Sequence, residues 1–123
     1  MRLILSAVFA IAIANPASAF VASNGLVVEP EGESTFTVPF RGLSGDSDFW
    51  CAAGEYVIRD LGLSSSTRIY RLNSPPRRAG QGITFSLSSE GAKRPGWFVL
   101  SRDLGLRASF ARSFCEPPVV SDQ

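Results

Sequence analysis

Only one stretch of this chain carries a long helical period, and nearly every other apolar run has the period of a strand. From Asp48 to Leu61, Trp50, Ala53, Val57 and Leu61 recur at i, i+3, i+7 and i+11, a single stripe. Phe49, Ala52, Tyr56 and Ile58 widen that stripe, so the helix needs cover on most of its circumference. Asp46 or Ser47 can cap its start, Asp48 suits its first turn, and Arg59 suits its last. Gly62 follows as a left-handed C-cap. Gly54, mid-helix, costs about 1 kcal/mol against Ala. It either lets the helix approach a sheet closely or is tolerated without purpose.

The flanking segments alternate. Phe20 to Gly32 is a lead-in with a short edge strand at Gly25–Val28, interrupted by Pro30 and Gly32. Ser34 to Arg41 sets Phe36, Val38 and Phe40 against Thr35 and Thr37, a half-buried strand. Pro39 favours a sheet edge for it. Thr67–Leu72 and Ile83–Ser88 read as a hairpin whose long tip, Asn73 to Gly82, is rich in turn residues. Trp97–Arg102 is apolar on both faces and reads as a central strand. Leu106 to Phe114 alternates as a last strand, although its Ala and Arg content also suits a helix. Pro117-Pro118 ends regular structure.

A strand, a helix and then a run of hairpin-linked strands define an α+β, two-layer domain. One buried helix packs on an antiparallel sheet of four to five strands. Trp50 and Trp97 lie in apolar runs and are assigned to the core. Cys51 and Cys115 are the two cysteines and are expected to pair. Their disulfide joins the helix to the end of the last strand and contributes about 4 kcal/mol in the chain-entropy model.

The pairing agrees with the first residues. Met1-Arg2, the apolar run Leu3–Ile13 and the small residues Ala17-Ser18-Ala19 form a cleavable secretory signal over residues 1–19. The run is too short to span a bilayer, which takes roughly 20 residues. The expected mature domain is therefore residues 20–123, with loose ends and no transmembrane segment. It would be periplasmic or extracellular.

Charge is segregated along the chain. Residues 29–60 hold seven acids against Arg41 and Arg59, a net of −5. Residues 68–112 hold eight arginines and Lys93 against Glu90 and Asp103, a net of +7. The halves can neutralise each other, or the second can present a basic face to something anionic.

The chain has no histidine, so Ser-His-Asp and Cys-His catalysis cannot be built within it. Paired cysteines also leave no common zinc ligand set. No nucleophile elbow, P-loop or dinucleotide fingerprint occurs. Ser89 and Lys93 have the wrong spacing and context for a Ser-Lys pair. Asp46 with Asp48 reads as capping, and Glu29, Glu31 and Glu33 as a solvated loop. No catalytic residue, metal ligand or cofactor is assigned, and a binding protein is favoured over an enzyme. A histidine-independent hydrolase and a structural envelope component are the alternatives. The candidate ligand-binding residues are Arg68, which shares a strand face with Tyr70, and Arg77 and Arg78 behind Pro75-Pro76. Export disfavours nucleic acid. The expected partner is an anionic ligand or an acidic envelope protein.

Overall fold

The computed structural model describes residues 19–42, 45–73, 77–95 and 104–115. The strands are β1 (Phe20–Val21), β2 (Val27–Pro30), β3 (Thr35–Val38), β4 (Arg68–Arg71), β5 (Ile83–Ser86) and β6 (Leu106–Arg107). Helix α1 (Asp46–Glu55) runs directly into a π-helical turn, Tyr56–Asp60, and α2 (Ala108–Ser113) follows β6. Every strand pairing is antiparallel, in the order β1-β2-β3-β5-β4-β6. The protein is thus the expected α+β domain, with six strands rather than four to five.

Alternation selects the inner face. Phe36 and Val38 of β3, Ile69 of β4 and Ile83 and Phe85 of β5 are fully buried against α1. Aromatic rings tie the two layers. Phe36 stacks at 5.7 Å on Phe85 and meets Tyr56 of the π turn at 4.7 Å, while Trp50 meets Phe85 edge-on at 4.8 Å. Trp50 is the buried core residue expected, and its indole N–H donates to the Pro95 carbonyl at 3.0 Å.

Several local expectations are corrected. Pro39 lies just beyond β3, which is internal and pairs with both β2 and β5. The early strand begins at Val27 because Gly25, at φ +85°, makes the β1–β2 turn, and Pro30 still pairs with Phe36. Helix α1 starts at Asp46, two residues earlier than the sequence pattern, with Gly45 at the N-cap and no side-chain cap. Leu61, expected on the buried stripe, is 40% exposed. Its N–H reaches back to Tyr56 O, five residues away, and this wider turn rotates it off the α-helical stripe. Gly62 takes the left-handed position expected, at φ +65°.

Of Leu106–Phe114, only Leu106–Arg107 is strand and Ala108–Ser113 is helix. Gly54 explains the change. A Cβ there would lie 2.5 Å from Arg112 N and 2.9 Å from Ala108 O. The backbone of α2 therefore rests directly on α1, with the small Ala108 and Ala111 buried in the contact. The Cys51–Cys115 disulfide closes the same crossing from mid-α1 to just past α2. The strand expected at Trp97–Arg102, with Trp97, and the Pro117-Pro118 tail lie outside the described residues, as do residues 1–18.

Candidate anion-binding edge

Strand β4 places its arginines on opposite faces. Arg71 points inward beside Ile69 and is fully buried. Its Nη1 donates to Asp46 Oδ2 at 2.9 Å and to the Pro95 carbonyl at 3.3 Å. Among the described residues, Nε and Nη2 have no hydrogen-bond partner. This ion pair links the acidic and basic parts of the sequence, and it is internal. Asp46 thus anchors a buried cation rather than capping its helix.

Arg68 and Tyr70 are half-buried on the opposite, outward face. Register then adds a residue the sequence reading did not select. In the β4–β6 ladder Arg68 stands directly opposite Arg107, while Ile69 and Leu106 meet on the buried side. Two guanidinium groups therefore leave one face of adjacent strands, from Cβ atoms about 5 Å apart. Arg68 Nη1 also donates to Gly105 O at 3.2 Å. Gly105 fits under the Tyr70 ring, where a Cβ would come within 2.6 Å of Cε1. Tyr70 thus lies against Gly105 on the strand face that carries Arg68.

At the same edge of β4, Lys93 pairs with Arg71, its N–H donating to Arg71 O at 2.7 Å, and Lys93 and Arg94 are exposed. Among the described residues, Lys93, Arg94 and Arg107 make no ion pair with the acidic half. The Asp46–Arg71 pair joins the acidic and basic parts inside the domain.

The other two candidate arginines lie elsewhere. Arg68 starts β4, whereas Arg77 and Arg78 follow its far end, beyond a strand rise of about 10 Å. Arg78 is exposed. Arg77 is half-buried: its Cζ sits 4.9 Å from the Phe49 ring and 5.2 Å from the Phe40 ring. Its Nη1 donates to Gln81 O at 2.8 Å and to Arg78 O at 3.2 Å, bracing the loop. The pair is divided into an internal brace and one exposed cation, and neither joins Arg68.

The catalytic alternatives gain no assembled constellation among the described residues. Ser89 and Lys93 flank an exposed turn, and Glu29, Glu31 and Glu33 are exposed around the β2–β3 connection. A cleft of about 640 Å³ opens beside the helix crossing, lined among others by Ser23, Glu55, Ile58, Ser109, Arg112 and Cys115. Glu55, 4% exposed, accepts from Ser23 N–H at 2.6 Å and lies 3.8 Å from Arg59 Nη1. Above the crossing, burial raises the Tyr56 phenol above its ordinary value of about 10, and the Asp60 charge adds to the shift. No helix among the described residues is long and apolar enough to cross a membrane.

No family model, no curated protein and no solved structure matches the chain.

Proposed function

We propose that this is a small exported binding module, without catalytic activity, that takes an anionic group of an envelope partner on the outward β4–β6 edge. The observation that carries this reading is the register that sets Arg68 opposite Arg107 on one sheet face. Like charges directly opposed across a ladder weaken a sheet. A carboxylate or phosphate beside them can accept hydrogen bonds from both guanidinium groups. Tyr70 supplies a flat wall, and Lys93 and Arg94 extend positive charge along the strand edge. The leader-like residues 1–19 and the Cys51–Cys115 disulfide support an oxidising, extracytoplasmic compartment. The intact mass of the exported protein should then equal that of Phe20–Gln123 less two protons, and a mass that includes residues 1–19 would contradict export.

The binding claim is tested by pull-down from the native host's envelope fraction, with wild type and Arg68→Ala/Arg107→Ala as baits. The wild type should retain a partner at low salt and release it as salt rises. The variant should bind it at least about tenfold more weakly, since each lost charge-assisted hydrogen bond contributes about 1.5–3 kcal/mol. Equal retention by both baits, or no partner at low salt, would refute the assignment.

A further inference from the structure

The helix crossing holds a second set of chemically capable groups, independent of the arginine edge. Cys51 and Glu55 stand one turn apart on α1, so both project from the same helix face. Cys115 arrives from the end of α2. The two Sγ atoms and a carboxylate oxygen of Glu55 all lie within 4.8 Å of one another. In tetrahedral zinc sites, bonds of about 2.3 Å to sulfur and about 2.0–2.2 Å to oxygen set neighbouring ligand atoms roughly 3.5–3.8 Å apart. Glu55 is already within about 1.5 Å of that spacing. Its carboxylate is buried, and among the described residues one backbone N–H and one distant guanidinium serve it.

We propose that two-electron reduction of the Cys51–Cys115 disulfide turns this corner into a site for a thiophilic divalent cation such as zinc. Cys51, Cys115 and Glu55 supply three ligands, and the fourth position faces the cleft. The reductant is a dithiol. One of its thiolates enters through the cleft, where Cys115 is half-buried, and bonds to Cys115 Sγ as the S–S bond breaks and Cys51 leaves as a thiolate. The second thiol of the reductant then displaces Cys115. The reductant ends as a cyclic disulfide, having given two electrons and two protons, and the protein ends with two thiols. The cation binds both as thiolates and releases two protons to solvent.

Charge and chemistry fit this occupant. Two thiolates and one carboxylate carry three negative charges, and the cation brings two positive charges. Arg59, 3.8 Å from Glu55, and Arg112 in the cleft offset the remainder. Sulfur ligands favour zinc over calcium and magnesium. Ser23, Ser109 and Ser113 line the cleft on the fourth side, where there is room for a bound water. With the sulfurs joined to each other, Glu55 alone remains as a ligand, so the oxidised protein does not hold the ion.

The test uses cobalt(II) as a spectroscopic probe on the purified protein, oxidised or reduced by a phosphine under anaerobic conditions. Circular dichroism reports folding throughout. The reduced protein should bind one equivalent, with a thiolate-to-cobalt charge-transfer band and the intense visible bands of tetrahedral geometry, and zinc should bleach both. The oxidised protein should show neither. Glu55→Gln should keep the charge-transfer band and lose at least about tenfold in affinity, as removing even an outer-shell partner does. If the reduced apo-protein unfolds, zinc should restore the native spectrum, with the Glu55→Gln midpoint shifted to higher zinc. No charge-transfer band in the reduced protein, or equal affinity in Glu55→Gln, would overturn the proposal.

Discussion

Arg71 shows how much of this fold turns on a single side chain. A guanidinium with no exposure is tolerated because Asp46 and the Pro95 carbonyl meet it. Removing one member of such a pair leaves an uncompensated buried charge. Asp46→Ala should therefore destabilise the protein by about 3–5 kcal/mol in urea unfolding, and Asp46→Ala combined with Arg71→Met should recover most of that loss. A double variant no more stable than Asp46→Ala would show that the pair is not what stabilises this corner. The alternation of Thr67–Leu72 already set Arg68 with Tyr70 and Ile69 with Arg71. What it did not contain was Asp46, 25 positions away, as the reason Arg71 can face inward. Gly54 follows the same logic. Of the two readings open in the sequence, close approach is the one realised, but the approaching element is α2 and not the sheet. Gly54→Ala should cost about 1–3 kcal/mol or more, because the added methyl meets backbone that cannot rotate away. Arg77→Ala should cost about 1 kcal/mol, since it removes ring contacts with Phe40 and Phe49 and two loop hydrogen bonds.

The buried elements were legible where local period and core burial agree. The α1 stripe, the β3 and β5 alternation and the β4–β5 hairpin follow from apolar residues that must share a face. Elements set by distant contacts were not. The last strand stops after Arg107 because α2 packs on Gly54 and is tied down through Cys115. The π turn is likewise invisible to a 3.6-residue stripe, which is why Leu61 emerges into solvent. Tyr56 in that turn gives a pH test with a definite sign. Its pKa is higher folded than unfolded, so its contribution is complete below about pH 10, the unfolded value. It is lost as pH rises from there through the folded value. Stability should therefore fall on the alkaline side from about pH 10, and Tyr56→Phe should flatten that decline. An identical alkaline profile in both proteins would contradict this.

At the scale of the whole molecule, the sequence displayed an acidic half and a basic half but not their arrangement. Composition left two outcomes open, neutralisation and a basic face. Asp46 and Arg71 realise the first at one buried point inside the domain. Arg68 and Arg107 face each other across the β4–β6 ladder, and Lys93 and Arg94 lie farther along the same edge of β4. Arg107 was not selected in the sequence because cross-strand register is a property of the sheet, not of any segment. The direct test is to compare two variants of equal net charge, Arg68→Ala/Arg107→Ala and Arg41→Ala/Arg78→Ala, for affinity to the partner captured by wild type. Arg41 and Arg78 are exposed and lie off the β4–β6 ladder. Loss of at least about tenfold in the first variant alone, with a shallower salt dependence, is the expected result. Equal loss in both would mean that net charge, and not the opposed arginines of β4 and β6, draws the partner.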